Sequence, residues 1–119
     1  MTVFDRIAAI GVVPVVAIDN ADRAVDLANA LADGGLPIAE ITFRTDAARD
    51  AIASIAKARL DFFVGAGTVV TAQQVAPTKA AGAQFALAPG TDPAMIEAAQ
   101  AAGLPYAPGI MTPSDLQIA

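Results

Sequence analysis

The chain has 119 residues, of which 55% are hydrophobic, and its 7 Lys and Arg against 12 Asp and Glu give a net charge of −5. Cysteine and histidine are both absent, which excludes disulfides, thiolate catalysis and the usual zinc or histidine-based sites. The charges form no run of the kind that binds nucleic acids or anionic membranes. This length accommodates a single domain, residues 1–119, and no linker segment interrupts it.

The predicted elements alternate between strands and helices along the whole chain. Apolar segments typical of buried strands begin about 21–26 residues apart, which is the spacing of successive β/α units. In chain order the pattern predicts a helix over Thr2–Ile10, a strand over Val12–Ile18, a helix over Ala21–Ala32, a strand over Ile38–Arg44, a helix over Asp46–Arg59, a strand over Phe62–Thr68, a helix over Thr71–Ala81, a strand over Phe85–Pro89, a helix over Pro93–Ala102 and a strand over Tyr106–Ile110.

The N-terminal segment Met1–Arg6 has neither the basic start nor the long apolar core of a secretory signal. No apolar run approaches the ~20 residues that a membrane-spanning helix needs. We therefore expect a soluble cytoplasmic protein.

Strands this apolar, each followed by a helix, indicate a parallel sheet covered by helices. Two α/β architectures fit: an open doubly wound sheet, or part of an eight-fold β/α barrel. In both, ligands bind at the carboxyl ends of the strands. Arg44, Thr68, Pro89-Gly90 and Pro108-Gly109 all fall at such ends, so we expect them to meet at one edge of the sheet.

The predicted strand Ile38–Arg44 places Glu40, Thr42 and Arg44 on one face, because side chains in a strand alternate with a period of two. An acid and an arginine are rarely buried unless each satisfies the other or a ligand. A carboxylate for proton transfer beside a guanidinium for an anionic substrate is one interpretation. A structural ion pair is the other, and the pattern leaves both open.

Two glycines, Gly65 and Gly67, alternate with Val64, Ala66 and Thr68 in the next strand. They therefore face the opposite side from those three residues. Close approach of a ligand and close packing of a helix both require small residues at such positions, and the sequence does not choose between these roles.

Taken in order, these motifs resemble the KDPG/KHG aldolase family, whose substrates are 2-keto-3-deoxy-6-phosphogluconate (KDPG) and 4-hydroxy-2-oxoglutarate (KHG). The resemblance spans nearly the whole chain. The segments that carry it are Val13–Val16, Glu40–Thr45, Val64–Val69, Ala81–Phe85, Ala88–Gly90 and Pro108–Ile110.

The resemblance implies a TIM-type β/α barrel, here about five β/α units of it, in a protein that is commonly trimeric. It also implies reversible cleavage of KDPG or KHG to pyruvate and an aldehyde, with no cofactor and no metal. Glu40 corresponds to the family's general acid/base, and Arg44 and Thr68 to the groups that hold the pyruvate carboxylate. Pro89 is a further substrate-binding candidate, although a proline at a strand end can also serve only to shape the backbone.

The chain departs from the family in one essential group, the lysine that forms a Schiff base with the ketone. In the family it precedes two phenylalanines and a proline on the sixth strand, and no Lys-Phe-Phe-Pro occurs here. Lys57 and Lys79 fall within predicted helices, where we expect solvated side chains. The alternative function is therefore a catalytically incompetent half-barrel or assembly module. A different β/α phosphate-binding enzyme sharing only the topology is disfavoured by the ordered motifs.

Five strands cannot close an eight-stranded barrel, so we expect an apolar inner surface and free sheet edges. Such surfaces favour association. The expected partners are a small 2-keto acid and further copies of the same chain.

Overall fold

A computed structural model describes residues 1–119 and contains one five-stranded sheet, six α-helices and one 3₁₀ turn. The strands are β1 (Val15–Val16), β2 (Ile38–Thr42), β3 (Phe63–Gly67), β4 (Ala86–Leu87) and β5 (Tyr106–Ala107). The helices are α1 (Val3–Ile10), α2 (Ala24–Asp33), α3 (Ala48–Ala58), α4 (Ala72–Ala80), α5 (Pro93–Ala102) and α6 (Pro113–Ile118), and the 3₁₀ turn Ala21–Arg23 precedes α2. None of these helices has the length and apolar character needed to cross a membrane.

The sheet has the strand order β1-β2-β3-β4-β5, and every neighbouring pair is parallel. A doubly wound sheet requires the strand order to reverse so that helices cover both faces. Here each new strand is added on the same side of the one before, as in a β/α barrel. The partial barrel is therefore confirmed, and the open doubly wound alternative is wrong.

Only β2 and β3 have five residues, and β1, β4 and β5 have two each. The longer strands predicted at those three positions are wrong in extent. Prolines explain part of the difference, because a proline cannot donate to the ladder. Pro14 precedes β1, Pro89 follows β4, and Pro105 and Pro108 flank β5.

The main core lies between the sheet and its outer helices. Ala39 and Ile41 of β2 and Val64 and Ala66 of β3 belong to an 18-residue buried cluster that also contains side chains of α2, α3, α4 and α5. Alanine is frequent in this cluster, which lets the helices approach the sheet closely. The face of the sheet that carries these residues is called the outer face below.

The opposite, inner face has an apolar N-terminal end. Ile38, Phe63 and Phe85 form a second buried cluster there, and each is at most 1% exposed. Side chains of α1 pack against them, and the Arg6 guanidinium lies 4.2 Å from the centroid of the Phe63 ring. Helix α1 thus covers the part of the inner face that we expected to be exposed.

Candidate active site at the C-terminal edge of the sheet

Glu40 lies on the inner face of β2, with Val15 of β1 and Gly65 of β3 as its register partners. Although Glu40 is only 8% exposed, its carboxylate makes no salt bridge within the chain and accepts none of the hydrogen bonds in the structure. Desolvation raises its pKa, and the nearby charge of Arg44 opposes that rise. A buried carboxylate without a partner and with a raised pKa is a candidate for proton transfer.

The two glycines of β3 share this inner face, and both contact large neighbours. A β-carbon at Gly67 would overlap the Glu40 carboxylate, and one at Gly65 would overlap the Phe85 ring. The helices pack on the other face, against Val64 and Ala66. The interpretation of these glycines as helix-packing positions is therefore wrong. Sequence reasoning did not find the contact between Gly67 and Glu40, because it depends on the register between two strands.

Thr42, the third polar residue of the predicted strand face, is fully buried. Its hydroxyl donates a hydrogen bond to the Val16 carbonyl oxygen at 3.2 Å. The Thr45 hydroxyl makes a similar bond, 2.5 Å long, to the carbonyl oxygen of Ile18. Thr42 thus joins the end of β2 to β1, and Thr45 joins the turn after β2 to the segment that follows β1, so their hydroxyls serve the fold.

Arg44 does not continue the strand as predicted, because β2 ends at Thr42 and a turn follows. Its side chain is exposed and has no carboxylate within salt-bridge distance. It lines a cleft of about 400 Å³, together with residues that include Arg49 and Gln73. Its charge opposes the rise in the pKa of Glu40 without reversing it. Arg44 is therefore a free cation that acts on Glu40 only through its charge, and the two do not form the structural ion pair that the sequence left open.

Thr68 directly follows β3 and is the only non-glycine residue with positive φ, at 57°. A β-branched residue is strained in this left-handed conformation, and strain of this kind is concentrated at functional sites. The backbone N–H of Thr68 donates no hydrogen bond within the chain, and its hydroxyl has no partner there either. Two donors next to Gly67 are thus available for an external oxygen.

Pro89 is exposed two residues after the end of β4. It lines a separate cavity of about 220 Å³, which it shares with Asp92 and Tyr106. The Pro89 carbonyl lies so close to Gly109 that a β-carbon there would meet it, and the Thr91 hydroxyl donates to the Gly109 oxygen at 2.6 Å. The structure thus gives Pro89 a part in joining the loops after β4 and β5, and does not bring it into contact with Glu40.

Both lysines lie on the outer helices, as predicted. Lys57 is exposed on α3. Lys79, on α4, donates to the Ala102 carbonyl and, at 3.0 Å, to the Gly103 carbonyl at the end of α5. No lysine lies at the C-terminal edge of the sheet beside Glu40.

This arrangement, with polar groups gathered at the carboxyl ends of parallel strands, defines the chain as an α/β protein of the β/α-barrel class. The family model for KDPG and KHG aldolases matches residues 3–119. The chain therefore belongs to the KDPG and KHG aldolase family, which confirms the resemblance of its motifs.

Relatives of known function and solved structure agree with this assignment. The chain is 43% identical over 117 residues to a 2-dehydro-3-deoxy-phosphogluconate aldolase of Haemophilus influenzae, covering 98% of this chain and 55% of the relative. It is 45% identical over 107 residues to the KHG/KDPG aldolase of Escherichia coli K12, with coverages of 90% and 50%.

A similar solved structure is the KDPG aldolase of Legionella pneumophila with pyruvate captured as a covalent carbinolamine intermediate. It has a TM-score of 0.84 and 37% identity, with 88% of this chain and 51% of that chain covered. The chain thus spans about half the length of the relatives that it matches.

Proposed function

We propose that this chain provides the acid/base and the carboxylate-binding groups of an aldolase site that reversibly cleaves KDPG or KHG to pyruvate and an aldehyde. The observation that carries the proposal is Glu40: a buried carboxylate with no partner in the chain and a raised pKa. Family membership over residues 3–119 supports the same reaction.

Arg44 and Thr68 are the proposed ligands of the 2-keto acid carboxylate. A guanidinium presents a planar fork that matches a carboxylate, and Arg44 carries no such partner in the chain. Thr68 follows Gly67, and its backbone N–H and hydroxyl add two uncharged donors.

Glu40 is the proposed proton carrier. In the cleavage direction a base removes the proton of the C4 hydroxyl as the C3–C4 bond breaks and the aldehyde forms. The electron pair moves to C3 and is delocalised toward C2, and the same group, now protonated, returns a proton to C3 to give the methyl group of pyruvate. General acid–base catalysis of this kind contributes typically 10²–10⁴-fold to a rate.

The delocalisation toward C2 is most effective when an amine has converted the ketone to an iminium ion. Residues 1–119 place no lysine at this edge, because Lys57 and Lys79 lie on the outer helices. This placement favours the second candidate function, a half-barrel that binds small carboxylates without cleaving them. Pyruvate with borohydride distinguishes the two for the isolated chain. We expect no trapped adduct, and a stoichiometric mass increase on Lys57 or Lys79 would contradict the placement.

Pyruvate binding to the 119-residue chain tests the carboxylate site directly. In ¹⁵N-labelled chain, pyruvate is expected to shift the Thr68 amide resonance saturably, and acetone, which lacks the carboxylate, is not. Arg44→Gln should abolish the shift, whereas Arg23→Gln, on the 3₁₀ turn, should leave it unchanged. If pyruvate causes no saturable shift, or if the shift persists in Arg44→Gln, these residues do not hold the carboxylate.

We also propose that the chain forms homo-oligomers, with the family's trimer as one form. Support comes from the apolar residues that remain exposed, which include Val12 at 60% and Val15 at 61% at the free edge of the sheet formed by β1. Sedimentation at micromolar concentration tests this, and a single species near 11.9 kDa without concentration dependence would contradict it. The cytoplasmic location stays a prediction.

A further inference from the structure

Glu40 reaches the C-terminal edge by lying across the neighbouring strand. Its register partner on β3 is Gly65, yet the atoms that a β-carbon at Gly67 would meet are Cγ, Cδ and Oε1 of Glu40. The side chain therefore runs along the strand direction, over the α-carbon two residues further on. Side chains in strands lean in this way, but only where the neighbouring strand leaves room.

Every residue larger than glycine at position 67 would fill that room. The Cβ position at Gly67 lies 2.7 Å from Glu40 Cγ and 2.5 Å from Cδ, far inside normal carbon–carbon contact distances. Gly67 has an ordinary strand conformation, since its φ is not positive. Backbone geometry therefore does not require glycine here, and the contact with Glu40 does.

We infer that Gly67 is a positioning residue for Glu40: its missing side chain forms the seat that holds the carboxylate at the C-terminal edge of the sheet. The inference rests on the proposed function for its catalytic meaning, but the steric coupling between positions 40 and 67 exists independently of it. With any side chain at 67, the Glu40 carboxylate has to leave the inner face toward solvent.

The seat also accounts for how a carboxylate is buried without a partner. Gly65 admits the ring of Phe85, the residue before β4, and Gly67 admits Glu40 from β2, so two large groups from opposite neighbours lie over one flat strand. Desolvation is the main cause of the raised pKa of Glu40. Displacing the carboxylate into water should therefore return its pKa toward the ordinary value.

Gly67→Ala in the full chain tests the inference, with Gly90→Ala as the matched control. A β-carbon at Gly90 meets nothing within 4 Å. Because the group that has to move is the end of a flexible side chain, Gly67→Ala is expected to fold and to lower the NMR-measured pKa of Glu40 toward the ordinary value. Gly90→Ala should leave that pKa unchanged.

The double variants identify the cause. Glu40→Gln removes the unpartnered charge, so it should raise the midpoint of thermal unfolding at pH 7 in the wild-type background. In the Gly67→Ala background the carboxylate already lies in water, so Glu40→Gln should give little further gain. If Gly67→Ala alone does not fold, recovery of folding in the double variant with Glu40→Ala supports the seat, and failure to recover overturns it.

Equal gains from Glu40→Gln in the wild-type and Gly67→Ala backgrounds, or an unchanged pKa of Glu40 in a folded Gly67→Ala, would overturn the inference. Neither result depends on pyruvate. A chain that binds no pyruvate but shows the coupling between positions 40 and 67 would refute the proposed function alone.

Discussion

The two ends of the inner face share strands β2 and β3 and differ in almost every other respect. At the N-terminal end Ile38, Phe63 and Phe85 are buried under α1, and the rings of the two phenylalanines lie 5.1 Å apart. At the C-terminal end Glu40 has no partner and Thr68 is held in a left-handed conformation. The first end contributes stability, and the second retains unfavourable features that a ligand can relieve.

This contrast predicts that substitutions at the C-terminal end affect activity more than stability. The largest effect is expected for Glu40→Gln in a chimera in which this chain replaces the matching half of the Haemophilus influenzae relative. If the chimera cleaves KDPG, Glu40→Gln should lower kcat by about 10²–10⁴-fold because the proton carrier is removed. The control is Glu97→Gln on the exposed side of α5, and an unchanged kcat in Glu40→Gln would show that another group moves the proton.

Substitutions at the N-terminal end should have the opposite signature. Phe85→Ala removes a fully buried ring and its contact with Phe63, and we expect the free energy of unfolding to fall by about 3–5 kcal/mol. Leu60→Ala, at a position 89% exposed, should change it by less than about 0.5 kcal/mol. Urea unfolding measures both, and similar values for the two variants would remove the distinction between the ends.

The cost of the unpartnered carboxylate should be visible as a pH dependence. The pKa of Glu40 is raised in the folded chain, so the unfolded chain releases this proton more readily. Stability is therefore lost as the pH rises through the pKa that Glu40 has in the folded chain. Glu40→Gln does not suffer this loss, so it should unfold at a higher temperature than the wild type at pH 7. The difference should shrink as the pH falls toward the ordinary glutamate pKa of about 4.3.

Thermal unfolding of both proteins between pH 4 and pH 8 checks this sign. The carboxylates with lowered pKa, Asp5, Asp61 and Asp115, lose their stabilising effect in acid. They are present in both proteins, so they cancel in the comparison. A difference that grows toward low pH would mean that Glu40 is stabilised as a carboxylate, contrary to its burial.

The smallest expected effect concerns the cover of the N-terminal end. Arg6 lies over the Phe63 ring, and a cation at such a position contributes about 0.5–1 kcal/mol at an exposed site. Arg6→Gln should lower the free energy of unfolding by about that amount, and Arg23→Gln should not. An equal effect of the two would indicate that α1 is held by its apolar side chains alone.

Much of the fold could be predicted because it depends on local patterns. The strand cores at Ile38–Thr42 and Phe63–Gly67, the exterior placement of Lys57 and Lys79, and the order of the motifs all follow from periodicity and short signatures. Element ends were less accurate. The strand predicted to reach Arg44 ends at Thr42, and that difference of two residues places Arg44 in a turn beside a cleft.

The candidate site was predictable in its residue types and only partly in its geometry. Glu40 and Thr68 were predicted from short patterns, the first within one strand and the second at the end of another. The partners of Glu40 were not, because the neighbour that its side chain contacts is set by the register between β2 and β3. Thr42 was placed on the correct face, but its bond to the Val16 carbonyl depends on how β1 lies against β2.

The sequence alone determined that this chain forms parallel β/α units and belongs with the KDPG and KHG aldolases, because both follow from side chains that are close in the chain. Only the tertiary structure decided that Gly67 holds Glu40, that Arg44 is free of it, and that α1 covers the apolar end of the inner face. Each of these joins residues from different elements, and the distance between elements is set by packing, which no local pattern records.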